Sequence, residues 1–189
     1  MLMLAALLVV ACGSDDTYQP KPKGYNRLDI PETKYHNSPD SLPYSFEVSN
    51  YAVILKDTHW TAEDNWIDLY YPQFQANIQL TYKPLGKAKS DKLDELINDS
   101  YRLKDGHNKK ATAVDEKFII TDNGYPTVIF ELQGEVPSQF QFFTTDSTSN
   151  FLRGAVYFRT SIHNDSLAPA IDFMKGDVMH LLKTLKFKK

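Results

Sequence analysis

Five histidines are the first candidates for chemistry: His36, His59, His107, His163 and His180. No two stand at H-x-H or H-x-x-x-H spacing, so no element presents two imidazoles to one metal ion. His180 falls between Met179 and Leu181, at the expected edge of a buried helical stripe. His107 and His163 stand in polar, loop-like contexts. Nucleophilic serine chemistry lacks its usual frame, since neither G-x-S-x-G nor a well-placed S-x-x-K occurs. The eight glycines are scattered and form no phosphate-binding loop. Glycoside hydrolysis needs two carboxyl groups facing each other at about 5 to 9 Å. No Asp or Glu stands in an apolar context that would raise its pKa. Asp68, in the stretch Trp66-Ile67-Asp68-Leu69, comes nearest, and alternation turns it away from Ile67 and Leu69 as a solvated strand carboxylate. No catalytic residue, metal or cofactor is therefore expected.

The one cysteine has a different chemistry. Residues 1–11 are apolar without a break, too short to span a bilayer, which takes about 20 residues as a helix. They fit the apolar region of a secretory signal. Val9-Val10-Ala11-Cys12 resembles the lipobox of bacterial lipoproteins, in which small residues precede the cut and the Cys thiol takes a diacylglyceryl group. The mature chain would then begin at Cys12 with three acyl chains, palmitate among them. Each buried CH₂ contributes roughly 0.8 kcal/mol, so three chains hold far better than one. No Lys or Arg precedes the apolar run, which leaves a start upstream of Met1 as an expectation. Cys12 and the bilayer account for the only thiol; none remains for a disulfide or a nucleophile.

Net charge is −3, without the basic excess that nucleic-acid binding needs. Residues 12–42 are rich in Pro, Ser, Asp, Asn and Lys and predict a lipidated tether and arm, with Pro20 and Pro22 favouring a stiff polyproline II path. From Pro43 to Lys189 the pattern is that of one domain. Ile67, Leu69 and Tyr71 share one face, as do Ala76, Ile78, Leu80 and Tyr82, with polar residues opposite; this predicts antiparallel strands with one wet side. From Ser90 to about Asp105 the period changes. Leu93, Leu96, Ile97 and Leu103 form a helical stripe, with Ser90 as N-cap and Gly106 as stop. Asn123-Gly124 predicts a type I′ hairpin, because both central residues of that turn need positive φ. Two further strands follow, joined through Asp146 to Asn150. The last element, about Ala168 to Leu185, carries Ile171, Met174, Val178, Leu181, Leu182 and Leu185 on one helical face. The class is α+β: an antiparallel sheet with two amphipathic helices packed on it. The element order resembles the PsbP/Mog1-like sandwich.

The arm is more apolar than a plain tether. Tyr25, Leu28 and Ile30 punctuate it, and Tyr25 with Arg27 are residue types that concentrate binding energy at interfaces. Leu28 and Ile30 lie on one side of an extended chain. These four are the expected partner-binding residues. Asp-Ser-Leu at 40–42, Asp-Ser-Thr at 146–148 and Asp-Ser-Leu at 165–167 resemble the O-glycosylation sequon of Bacteroidota. Ser41, Ser147 and Ser166 would be the acceptors, all in expected loops. Asp15 and Asp16, just after Cys12, resemble the acidic surface-export signal of Bacteroidota lipoproteins.

The stretches PKPKGYNRLDIPE (20–32), LPYSFEVSNYA (42–52) and NWIDLYYPQFQANIQLTY (65–82), with the lipobox before them, resemble the GldD family of gliding-motility-associated lipoproteins of Bacteroidota. The resemblance implies an outer-membrane lipoprotein needed for gliding and for type IX secretion, with other envelope proteins of that machinery as partners. It implies no enzymatic activity and no cofactor. The alternative from another class is an envelope ligand-binding or hydrolytic module using a cleft in the sheet. A deep polar pocket with a perturbed carboxylate or His would favour the alternative.

Overall fold

The computed structural model describes residues 32–86, 89–108, 110–159 and 164–188. Cys12, Tyr25, Arg27, Leu28, Ile30 and His163 lie outside the described residues. The elements run β1 (Tyr35–Asn37), β2 (Tyr44–Ser45), β3 (Glu47–Ser49), β4 (Val53–Lys56), β5 (Ile67–Tyr71), β6 (Ala76–Pro84), α1 (Lys89–Asn108), β7 (Ala111–Ile120), β8 (Pro126–Gly134), β9 (Phe140–Thr145), β10 (Asn150–Phe158), α2 (Asn164–Thr184) and β11 (Lys186–Phe187).

Seven strands form one antiparallel sheet in the order β4-β5-β6-β10-β9-β8-β7. Two small pairings, β1 with β3 and β11 with β2, close over its α2 side. The alternation in β5 and β6 has the expected result. Ile67, Leu69, Tyr71, Ala76, Ile78, Leu80 and Tyr82 are all buried, and they join Met174, Val178, Leu181, Leu182 and Leu185 in the larger core. The expected α+β architecture is the observed one.

The two helices do not share a face. α2 covers the large core, whereas Leu93, Leu96, Ile97 and Tyr101 of α1 pack with Phe130, Leu132, Phe143 and Phe151 on the other side. The side expected to be wet is therefore dry beneath α1. It stays polar over β5 and β6, where Asp68, Asn77 and Gln79 point.

Several local expectations shift. α1 begins at Lys89 and runs through Gly106 to Asn108, so Ser90 is no N-cap, Gly106 no stop and His107 no loop residue. Ser90 Oγ instead donates to Asp91. Leu103 is 39 % exposed; the buried stripe turns through Ser100 and Tyr101, one and two helical turns past Ile97 and Leu93. The Asn123-Gly124 hairpin is present, but Asn123 is not among the positive-φ residues and Gly124 is, at 81°. Gly124 N donates to Thr121 O and Thr121 N to Tyr125 O, which fits a three-residue loop ending in a left-handed glycine. The Asn123 side chain is otherwise engaged: its Nδ2 donates to Leu185 O at 2.9 Å, just past the end of α2. α2 starts at Asn164, with Pro169 inside it, earlier than the expected Ala168.

The ordered unit also reaches further toward the N-terminus than Pro43. β1 pairs residue for residue with β3, Tyr35 opposite Ser49 and Asn37 opposite Glu47. Ser38 N donates to Phe46 O at 2.8 Å, and Asn50 N to Lys34 O at 2.8 Å. The last part of the expected arm is thus a strand of the fold.

Candidate functional site

The titratable groups that sequence reasoning kept apart meet where β1 crosses α2. Asp177 and His180 are one helical turn apart and so share a face. Glu47 and Ser49 alternate onto one side of β3. The β1–β3 register then sets Tyr35 above them. The Tyr35 hydroxyl donates to Asp177 Oδ1 at 3.0 Å, and the Tyr71 hydroxyl to Asp177 Oδ2 at 2.9 Å. The rings of Tyr35 and His180 stack at 3.6 Å with an interplanar angle of 15°. His180 Nε2 lies 2.7 Å from Glu47 Oε2.

Asp177 is 5 % exposed. Burial pushes its carboxyl above the ordinary value, against the opposing pull of the Tyr71, Tyr35 and Ser49 hydroxyls and of His180. Burial and the Asp177 charge likewise push the Tyr35 hydroxyl up to about 12. Here the expectation of no perturbed carboxylate fails. A signal was present: Asp177 follows Met174 by three positions and precedes Leu181 by four, inside the apolar stripe of α2. His180 sits, as expected, at the stripe's edge.

The arrangement has the composition of a catalytic cluster, and its contacts are internal to the fold. Both oxygens of Asp177 accept hydroxyl protons from residues of the fold. The adjoining groove, about 520 Å³, is open and shallow; Ile120, Met179, Tyr35, His180 and Lys183 line it, and Asp177 does not. No group of three His, Cys, Asp or Glu fit to hold a metal occurs among the described residues. The cluster is a clasp that fastens β1 to α2.

Asp68 is half-buried rather than solvated. Burial pushes its carboxyl up, opposed by Asn77 Nδ2 at 2.9 Å, with the charge of nearby Asp57 adding to the rise. Asp57 is itself held by Gln79 Nε2 at 3.1 Å and by the His59 amide at 2.8 Å. His36 stands at the surface beside Asn50, Nδ1 to Oδ1 at 2.8 Å.

The three candidate acceptor serines differ. Ser41 is exposed in a turn. Ser147 is exposed too, with φ at 61°, in a turn that Asp146 organises. Ser166 lies within α2 and not in a loop.

With this geometry in hand, the comparisons with known proteins decide the family. The model of the family "Gliding motility lipoprotein GldD" matches residues 15–187. The chain belongs to the GldD family of gliding motility lipoproteins. The match includes the Pro- and Tyr-rich arm as well as every strand and helix described above. Lipoproteins of this family are anchored to a membrane, and no helix among the described residues is long and apolar enough to cross one. Among solved structures, the chain is similar to the solution structure of cyanobacterial PsbP (CyanoP) from Synechocystis sp. PCC 6803. That similarity has a TM-score of 0.45 and 11 % identity, covering 83 % of this chain and 98 % of that one. No curated protein matches.

Proposed function

We propose that this GldD-family lipoprotein is a non-catalytic docking unit of the outer membrane, supporting the assembly or stability of the gliding and type IX secretion machinery. Acylated Cys12 anchors it. Asp15 and Asp16 favour the cell surface over the periplasmic face. The arm, through Tyr25, Arg27, Leu28 and Ile30, binds another envelope protein of the machinery close to the membrane. Glycans at Ser41 or Ser147 would decorate exposed turns; Ser166 departs from the expected loop setting, since it lies within α2.

One observation carries this reading. The perturbed carboxylate and the histidine that a hydrolase would need are both bonded into the clasp that holds the base of the arm. Asp177 is enclosed by the fold, and His180, at the edge of the groove, is stacked on Tyr35 and bonded to Glu47.

The test is in-cell cross-linking, followed by detergent extraction of the envelope and mass spectrometry. Wild-type protein should enrich secretion or gliding proteins of the envelope over an unrelated lipoprotein. Cys12→Ser should leave the membrane fraction and lose them. Tight membrane association of Cys12→Ser would end the anchoring claim. Failure of the wild type to enrich any such protein would end the docking claim.

A further inference from the structure

β7 ends the seven-stranded sheet among the described residues, and one long side of its ten residues has no partner strand there. Val114 and Phe118 are 37 % and 66 % exposed on its α1 side, and Ile120, 57 % exposed, reaches the groove beside α2. Long apolar edges are normally shortened, covered or guarded by charge, because their free N–H and C=O groups recruit another strand. In β7 the charges sit in the middle, at Asp115, Glu116 and Lys117.

The hydrogen-bonding phase of this edge is fixed by the turn beyond it. Thr121 N donates to Tyr125 O at 3.0 Å, so Thr121 bonds toward β8. The register is unbroken from Val114 to Ile120. By the alternation of an antiparallel ladder, Ile119, Lys117 and Asp115 also bond toward β8, and Phe118, Glu116 and Val114 turn their amide and carbonyl groups to the open edge. Any added antiparallel strand must pair through those three residues and, by the same alternation, Ile120.

We propose that the occupant is β7 of a second copy of this chain, paired antiparallel about a two-fold axis at Glu116. The segment Ala113-Val114-Asp115-Glu116-Lys117-Phe118-Ile119 is self-complementary about that residue. Val114 comes opposite Phe118, Asp115 opposite Lys117 and Ala113 opposite Ile119, each twice, as a two-fold interface requires. Moving the axis by one residue destroys the match. One direction sets Asp115 on Asp115 and Glu116 on Val114. The other sets Lys117 on Lys117 and Glu116 on Phe118. The unfavourable contact in the chosen register is Glu116 on Glu116. Each of these carboxylates already accepts the hydroxyl of its own Tyr101 at 2.6 Å, which draws it toward α1 and away from the axis. The bulge between Ala111 and Ala113 stops the ladder at one end and the turn at Thr121 stops it at the other, so the pairing is finite.

The full acylated chain in its native envelope allows a direct test, because wild type carries no thiol besides Cys12. In a hydrogen-bonded antiparallel pair the Cα atoms are about 5.5 Å apart, within disulfide range. Under mild oxidation Glu116→Cys should run as a dimer of twice the chain mass. Asp115→Cys and Lys117→Cys, which face each other and not themselves, should each give several-fold less, and wild type none. Glu116→Gln, which removes only the repulsion at the axis, should raise the dimer fraction of detergent-extracted protein in light scattering. Equal cross-linking at all three positions overturns the register. A Glu116→Cys adduct of any other mass gives the edge to a different protein and overturns the proposal. Monomer in both assays means that the central charges guard the edge, and also overturns it.

Discussion

The ring of Tyr35 lies flat on the imidazole of His180, centroids 3.6 Å apart, although 145 positions separate them in the chain. The contact joins the first described strand to the last helix, so the base of the arm and the end of the domain stabilise one another. Tyr35→Phe keeps the stack and removes the hydroxyl from Asp177, which should cost about 1 kcal/mol. Tyr35→Ala also removes the ring and should cost roughly 2–3 kcal/mol. Urea denaturation gives both values. Tyr35→Ala should also speed proteolysis between residues 32 and 43, with the rest of the domain still resistant.

Asp177 gives the clasp a pH dependence of unusual sign. Its carboxyl is held above the ordinary value, so the folded chain keeps a proton that the unfolded chain has released. Its contribution to stability is therefore full below the unfolded pKa of about 3.9 and declines as pH rises through the native value. Asp177→Asn has no such titration. Urea midpoints measured across the acid range should show wild type losing stability relative to Asp177→Asn as pH rises. A gap that stays constant with pH would refute the assignment.

Asp146 behaves in the opposite way. Burial would raise its carboxyl, but the amides of Ser149, Asn150 and Thr148 and the Asn150 side chain hold it below the ordinary value. Its Oδ1 accepts Thr148 N at 2.9 Å, Ser149 N at 2.7 Å and Asn150 N at 2.9 Å. This contribution is present above the unfolded pKa and is lost as pH falls through the native one. Asp146→Ala should cost about 1–2 kcal/mol at neutral pH and less in acid, by the same urea series. The aspartate of the candidate sequon at Ser147 is thus a turn-forming group. Loss of a glycan in this variant would need a fold control before it is read as loss of recognition.

Gly154 lies opposite Phe142 in the β9–β10 ladder, at the centre of the sheet. A Cβ at position 154 would occupy the space of the Phe142 ring. Phe142 is buried at 1 % exposure, so a displaced ring would have to push into packed neighbours. Gly154→Ala should therefore destabilise by about 3 kcal/mol, at the upper end of ordinary overpacking. Phe142→Leu with Gly154→Ala should recover part of the loss in thermal melting.

Some of this was legible in the sequence, and the physical reasons divide cleanly. β5, β6 and α2 are long and bury a regular face, so their period is printed in residues such as Ile67, Leu80 and Met174. β1 and β11 have three and two residues, too few to show a period, and they exist because tertiary contacts hold them. The Asn123-Gly124 turn was readable as a hairpin but not in type, since Asn123 bonds across to Leu185, a contact 62 positions away. The clasp was half legible. Spacing alone places His180 at its stripe's edge and Asp177 within the stripe, but the two tyrosine donors that hold Asp177 come from β1 and β5, remote in sequence.

Docking and catalysis separate most directly in type IX secretion measured with single variants as the only copy. His180→Gln removes the acid–base group of the groove, supplies an amide that can still donate to Glu47 Oε2, and leaves Tyr35 bonded to Asp177, so the base of the arm stays fastened. Tyr25→Ala with Arg27→Ala removes the arm's expected anchors, each worth roughly 2 kcal/mol or more if central to an interface, or about a thirtyfold loss of affinity. Thermal melting of each purified variant serves as the fold control. A docking unit should secrete cargo normally with a folded His180→Gln and fail with a folded Tyr25→Ala, Arg27→Ala chain. Normal secretion by the arm variant, together with failure of a folded His180→Gln, would contradict docking and restore the case for chemistry in the groove.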